Sequence, residues 1–180
     1  MRSEEDPRER LRRRYRPAKV RLLFIGESPP ASGRFFYQGD SGLYRAMRDA
    51  FLQADPSITD DGFLAAFQSS GCYLIDTCLH PVDDLDPQPR RAACLAAEPS
   101  LARQIREQQP DAIVVLLRSI RDNVRRAVAA AGWCGPIIEV PYPGRWAGHR
   151  KVFLEKLAPH LLALFARQDP AVAARILIES

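Results

Sequence analysis

Four short apolar segments alternate with stretches of helical periodicity, and this alternation constrains the fold more than any other feature of the chain. The segments are 20–26 (VRLLFIG), 72–77 (CYLIDT), 111–117 (DAIVVLL) and 136–140 (PIIEV). Short apolar runs without regular polar alternation are typical of strands buried on both faces of a parallel sheet. The sequence therefore predicts an α/β fold with three layers (α/β/α), in which helices cover both sides of a central, mostly parallel four-stranded sheet.

The segments between the strands predict the helices and the domain organisation. Residues 41–54 have apolar residues at helical spacing behind Ser41, a plausible cap. Further helices are expected at about 90–109, 118–133 and 152–168, and Pro99 either begins a second helix or kinks the first. Residues 1–18 are expected to be a basic N-terminal arm, a frayed helix or an extended segment, which is either a solvated tail or a phosphate clamp. Residues 19–180 are expected to form a single domain, and residues 141–151 a loop.

The composition narrows the functional classes. No apolar run in the 180 residues approaches the roughly 20 that a membrane span needs. The charged N-terminus lacks the apolar segment of a secretory signal, so a cytoplasmic location is expected. The net charge of +4 suits a polyanionic partner but does not require one. We expect no association with membranes, and a monomer.

Polar residues follow each predicted strand. They are Gly26-Glu27-Ser28, Asp76-Thr77, Arg118-Ser119 and the segment 141–145. In an open parallel sheet, ligands bind in the crevice beyond the carboxyl ends of the strands. These residues are therefore the first candidates for a functional site.

Several motifs along the chain resemble one known family. GESPP at 26–30 is similar to the Gly-Glu-Ala-Pro-Gly motif of the iron-sulfur type of uracil-DNA glycosylase, and GRFFYQGDSGLYRAM at 33–47 is similar to the segment that follows it. CYLIDTC at 72–78, QQPDAIVVLL at 108–117 and VPYPGRW at 140–146 stand where later family segments belong. Over roughly residues 20–165 the chain resembles the uracil-DNA glycosylase superfamily. The resemblance implies hydrolysis of the N-glycosidic bond of a deaminated or damaged base, uracil or related, flipped out of DNA.

The resemblance also assigns roles. Glu27 would orient water or stabilise the sugar cation, although it could instead accept hydrogen bonds from the turn that follows it. Phe36, or its neighbour Phe35, would stack on the base, and the other would belong to the core. Tyr142 replaces the histidine of the second motif, and His149 either supplies an imidazole instead or lies at the surface. The remaining base-binding candidates are Gly26, Ser28 and Asp76, and the DNA-binding candidates are Arg34, Pro143, Gly144, Arg145, Trp146, Arg150 and Lys151.

Two departures from the family pattern affect the expected function. Asp76 stands where the family has a base-reading asparagine, and an ionised carboxylate only accepts hydrogen bonds. Asp76 thus favours a base with an extra donor, or it caps a loop. Trp146, among basic residues, either presses into DNA or folds back onto the core.

The cysteines resemble only half of the family's iron-sulfur ligand set. Cys78 and Cys94 are 16 residues apart, as the last two ligands are, but residues 1–71 contain no cysteine. Cys72 and Cys134 lie on or beside other strands. We therefore predict no cluster, no metal and no cofactor.

Two other functions remain open. The chain could be a catalytically silent relative that binds DNA or a free base or nucleotide. It could also be an unrelated doubly wound hydrolase or nucleotide binder. The absence of a glycine-rich phosphate-binding motif from the sequence weakens this hypothesis.

Overall fold

The central layer is a four-stranded sheet in which every strand runs parallel to its neighbours. The structure is a computed structural model, and it describes residues 6–144 and 146–167. The strands are β1 (Leu22–Gly26), β2 (Cys72–Asp76), β3 (Ala112–Val115) and β4 (Ile137–Glu139), in the order β2-β1-β3-β4. All residues of β1, β2 and β3 are buried, as their continuous apolar character predicts. The predicted fold class is confirmed.

Helices cover both faces of the sheet. They are α1 (Pro7–Arg14), α2 (Gly42–Ala54), α3 (Phe63–Ser69), α4 (Pro87–Gln108), α5 (Arg121–Ala131) and α6 (Ala147–Ala166). Right-handed crossovers place α2 and α3 on one face and α4 and α5 on the other, because the chain reverses its direction across the sheet after β2. In agreement, α4 packs on α5, and α6 packs on α2. Within the described residues, no helix has the length and apolar character needed to cross a bilayer.

The start of α2 follows the sequence prediction. The Ser41 hydroxyl accepts a hydrogen bond from the backbone N–H of Tyr44 at 3.1 Å, which satisfies one of the free donors of the first turn. Leu43, Met47 and Phe51 recur at a spacing of four and are buried against the sheet side.

Two predicted helix boundaries differ from the structure. Pro99 lies inside a continuous α4, so it does not begin a second helix. Residues 147–151, expected to be part of a loop, form the first turns of α6. They contain no proline and continue directly into the stretch whose apolar face is buried through Phe153 and Leu157, so the helix extends backward to Ala147.

The N-terminal segment also differs from its prediction. Residues 7–14 form α1, the helical alternative for the arm, behind a cap in which Asp6 accepts a hydrogen bond from the N–H of Arg8 at 2.8 Å, but this part of the arm is not fully solvated. Arg12 is only 2 % exposed, and Tyr15, just after the helix, stacks on Tyr37 with ring centroids 5.5 Å apart. The sequence shows a run of arginines, but it does not show that one of them, Arg12, pairs with the buried carboxylate of Asp76.

An aromatic cluster fixes the loop between β1 and α2. A short 3₁₀ turn, Phe36–Gln38, places the Phe36 ring 5.2 Å from Phe67 and 6.1 Å from Phe63. The Tyr37 hydroxyl donates to the carbonyl of Leu74 at 3.0 Å and accepts from its N–H at 2.8 Å, and so pairs the outer edge of β2. The loop is therefore anchored to the sheet at the end where the strands terminate.

Candidate active site

A cavity of about 250 Å³ opens beyond the carboxyl ends of β1, β2 and β3. Its size suits one nucleobase. Seven of the residues that the sequence analysis singled out line it together: Gly26, Glu27, Ser28, Phe35, Phe36, Asp76 and Tyr142. They come from three separate parts of the chain, and the parallel arrangement of the strands brings those parts to one edge.

Glu27 is held by a residue that the sequence analysis missed. The carboxylate is 7 % exposed and accepts two hydrogen bonds from Arg90, one from Nε to Oε1 at 3.0 Å and one from Nη2 to Oε2. The hydrogen bond from Arg90 to Glu27 and the negative charge of Glu27 raise the pKa of Arg90, so the guanidinium remains charged. Glu27 therefore takes a side-chain partner from α4 and not the backbone amides of the following turn. Nothing in the sequence distinguishes Arg90 from Arg91, because only the helix orientation decides which one faces Glu27.

Asp76 lies directly beside Gly26, its partner in the register of β2 and β1. A Cβ atom at Gly26 would lie 2.6 Å from Oδ1 of Asp76, closer than such atoms can approach. Glycine is thus required at position 26 for the carboxylate to occupy this edge of the cavity.

The second residue that the sequence analysis missed is the partner of Asp76. Arg12 of α1 donates from Nη2 to Oδ2 of Asp76 at 2.6 Å, and it also pairs with Glu9. Burial raises the pKa of Asp76 to about 6, and the charge of Arg12 opposes that rise. Both partners are consequently ionised at neutral pH.

The two phenylalanines have different surroundings. Phe36 makes ring contacts with Tyr37, Tyr44, Phe63 and Phe67, all within the aromatic cluster. Phe35 has a ring contact with Tyr37 at 5.7 Å, and it carries the Arg12 guanidinium on its ring, 5.3 Å from the centroid. Both rings are buried and both line the cavity.

Tyr142 closes the cavity from the segment after β4. The residue is 41 % exposed, and its carbonyl accepts a hydrogen bond from the N–H of Gly144 at 2.8 Å, which turns the chain. Burial of the hydroxyl, with the nearby charges of Asp76 and Asp83, raises the pKa of Tyr142. The phenol thus stays protonated at neutral pH and can donate a hydrogen bond.

Hydrogen bonds tie the walls of the cavity to each other. The Ser28 hydroxyl accepts from the N–H of Val82 at 3.2 Å, and Asp83 accepts from the N–H of Ala31 at 2.9 Å. The Thr77 hydroxyl donates to the carbonyl of Gly26 at 2.9 Å. The loops after β1 and β2 are in this way joined on both sides of Glu27.

The predicted DNA-binding residues lie outside the cavity. Trp146 is 75 % exposed, so the alternative in which it folds back onto the core is wrong. Arg150 pairs with Asp49 of α2, and Lys151 lies 3.7 Å from Glu155. Of the other DNA-binding candidates, Arg34 is exposed, Pro143 is buried and Gly144 is half-buried, while Arg145 lies outside the described residues. The catalytic candidate His149 is exposed on the first turn of α6 and does not line the cavity.

A second cavity of about 520 Å³ adjoins the first between α4 and α5. Glu27 and Arg90 line both cavities and separate them. The second also has Arg91 and Arg126 in its lining, so it is the more basic of the two.

The cysteines do not fit an iron-sulfur cluster. Cys78 and Cys94 are buried with their sulfur atoms 3.7 Å apart, but Cys72 lies at the opposite end of β2 from Cys78 and Cys134 is exposed. Among residues 6–144 and 146–167, no three His, Cys, Asp or Glu side chains form a group that could hold a metal ion. Burial raises the pKa of Cys78 to about 12, which favours a neutral thiol over a thiolate ligand.

A family of known proteins matches most of the chain. The family model described as the uracil DNA glycosylase superfamily matches residues 13–167. The chain belongs to this superfamily. The search of curated proteins gave no match. Membership of the uracil DNA glycosylase superfamily confirms the family resemblance and points to hydrolysis of N-glycosidic bonds, with DNA as the partner.

Proposed function

We propose that the protein is a monofunctional DNA glycosylase, which removes a deaminated or damaged base that has flipped out of DNA. The observation that carries the proposal is the convergence of Glu27, Phe35, Asp76 and Tyr142 on one cavity at the carboxyl edge of the sheet. A base must leave the stack before any enzyme pocket can hold it, and this cavity is of that size.

The two sides of the reaction need opposite charges. Breaking an N-glycosidic bond leaves positive charge on the sugar and negative charge on the departing base. The Glu27 carboxylate supplies negative charge opposite the sugar. Arg90 occupies one lone-pair direction on each of its oxygens, so each oxygen keeps another for a water molecule or the sugar. The protonated hydroxyl of Tyr142 supplies a donor for the base.

Phe35 is the better candidate for stacking on the base. Phe36 contacts four aromatic rings, whereas Phe35 contacts one, Tyr37, at an edge and has Arg12 over one face. A ring with a cation on one face can still stack on a planar base through the other. Phe36 then serves as the support of the cavity wall.

The DNA strand would cross the face that carries Trp146. An exposed indole at the start of α6 suits contact with bases, and Arg150 and Lys151 in the next turn suit contact with phosphates. Their present ion pairs, Arg150 with Asp49 and Lys151 with Glu155, are weakly held where exposed and can exchange for phosphate. Arg34 would add a further phosphate contact.

A second candidate function is a catalytically silent member that binds DNA or a free base. Arg90 neutralises much of the charge that Glu27 would offer to the sugar, and a phenol stabilises a departing anion less well than an imidazole. Release of a base decides between the two functions.

The test compares Glu27→Gln with the wild type on oligonucleotides that carry deaminated, oxidised or alkylated bases. Base release is followed by mass spectrometry, and abasic sites by cleavage with alkali. We expect the variant to lose at least about tenfold in rate, the lower end of what one catalytic carboxylate contributes. Glu139→Gln is the matched control, because Glu139 pairs with Arg125 at 2.8 Å and does not line the cavity. Equal rates for Glu27→Gln and wild type would remove Glu27 from the mechanism, and release of no base from the panel would favour the silent relative.

A further inference from the structure

We infer that Arg12 of helix α1 is a positioning residue that fixes Asp76 as an ionised hydrogen-bond acceptor, and that the cavity therefore selects bases bearing an amino group over uracil-type bases. The inference rests on the proposed function and narrows its substrate class to damaged cytosine-type or adenine-type bases. It assigns to the N-terminal helix a role in choosing the substrate.

The two oxygens of the Asp76 carboxylate have different surroundings. Oδ2 is occupied by Arg12 at 2.6 Å, whereas Oδ1 accepts no hydrogen bond from any residue that the structure describes. Asp76 lines the cavity and is 6 % exposed, and Gly26 leaves the space that Oδ1 occupies. Oδ1 is thus an acceptor that faces the cavity without a hydrogen-bond donor among the described residues, and a ligand that donates to it would gain a hydrogen bond.

Arg12 is held in place by several contacts. Its guanidinium is buried, pairs with both Asp76 and Glu9, and lies over the Phe35 ring. These contacts hold Asp76 in one orientation and in the charged form. A fixed carboxylate accepts from an exocyclic amino group. With uracil it could accept only from the imide N–H, and it would then repel the carbonyl oxygen that stands where the amino group is in cytosine.

The protonation of Asp76 depends on the groups around it. The charged and titratable groups around Asp76 are Arg8, Glu9 and Arg12 of α1, together with Glu27, Tyr37, Cys78 and Tyr142. Tyr37, Cys78 and Tyr142 have raised pKa values and stay neutral up to pH 8. Asp76 itself gains a proton below about pH 6, and the carboxylic acid can then donate to a carbonyl. The preference for an amino group should weaken as the pH falls from 8 to 5.5.

The experiment uses 5-hydroxycytosine and 5-hydroxyuracil in otherwise identical single-stranded oligonucleotides. This pair differs at the edge that Asp76 would contact, and both rates are measured on the same protein, so partial unfolding cancels in their ratio. At pH 7.5 we expect the wild type to release 5-hydroxycytosine at least about tenfold faster than 5-hydroxyuracil. This is the effect expected when one base gains a hydrogen bond to Asp76 and the other places a carbonyl oxygen against it. Asp76→Asn should reverse the ratio, because an amide can donate to the carbonyl. Arg12→Met should lower the ratio at pH 7.5, because Asp76 then takes up a proton.

The outcomes separate the inference from the proposed function. Equal rates, or faster release of 5-hydroxyuracil by the wild type, would overturn the inference while leaving glycosylase activity in place. If neither base is released but another lesion of the panel is, the proposed function stands, and it fails only if no lesion is released. In both cases equilibrium binding of the same oligonucleotides with 2′-fluoro-deoxycytidine or 2′-fluoro-deoxyuridine decides the inference. Tighter binding of the cytidine form supports it, and equal affinity overturns it.

Discussion

The substitution Arg12→Met should destabilise the protein strongly at pH 8 and only slightly at pH 5. Methionine keeps much of the length and apolar contact of the arginine stem but removes the charge that faces Asp76. Without that charge, Asp76 is a lone carboxyl group in a buried site, and its pKa rises above the present value of about 6. The folded variant therefore holds Asp76 as a neutral acid over a wider pH range.

Proton linkage gives the size of the expected change in the free energy of unfolding. A group whose folded pKa is raised has its full stabilising contribution below the unfolded pKa, and it loses that contribution as the pH rises through the folded pKa. For Asp76 of the wild type the loss runs from about 3.8 to about 6, which is about 3 kcal/mol. In Arg12→Met the loss continues to pH 8 and reaches about 6 kcal/mol if the carboxyl group stays protonated there. The difference between variant and wild type is thus about 3 kcal/mol at pH 8. At pH 5 it is near zero, because both proteins are then protonated at Asp76.

The assay is urea unfolding of both proteins at pH 5 and pH 8, followed by circular dichroism. A loss of about 1 kcal/mol from the contact with Phe35 should appear at both pH values. The control is Arg12→Met combined with Asp76→Asn, in which the cost should not depend on pH. A destabilisation by Arg12→Met that is the same at both pH values would refute the linkage between these two residues.

Three further substitutions test the walls of the site. Gly26→Ala should displace Asp76, whose Oδ1 would lie 2.6 Å from the new Cβ, and base release should fall at least about tenfold. Arg90→Met leaves the buried Glu27 without its partner, so the free energy of unfolding should fall by about 2 to 3 kcal/mol in urea titrations, with a loss of base release. Tyr37→Phe removes both hydrogen bonds to the outer edge of β2 and should cost about 2 kcal/mol in the same assay, with little change in the slope against urea.

Neighbouring residues provide the controls for these substitutions. Arg91→Met removes an arginine from the same helix without touching Glu27, and we expect both stability and base release to stay close to wild type. If Arg90→Met behaves like Arg91→Met, the pairing seen at Glu27 has no energetic importance. A Gly26→Ala variant with full activity would show that the position of Asp76 is not required for the reaction.

Much of the site could be predicted because the strands are short and end in polar residues. The apolar runs give the strands, the alternation with helices gives a parallel sheet, and a parallel sheet places Glu27 and Asp76 at one edge. The sequence therefore predicts seven residues of the cavity lining, Tyr142 among them through the order of the motifs, but not Arg90 or Asp83. Helix ends were less predictable, since residues 147–151 contain no signal that separates a loop from the first turn of α6.

The sequence by itself determined the layered α/β fold, the superfamily and the edge of the sheet where the site lies, because these depend on local apolar patterns and on the order of short motifs. Only the tertiary structure decided which arginines meet the two carboxylates, since Arg12 and Arg90 are 64 and 63 residues away from Asp76 and Glu27 and stand among other arginines. Pairing of buried charges depends on the orientation of whole helices against the sheet, and that orientation is set by packing across the core, which no local pattern records.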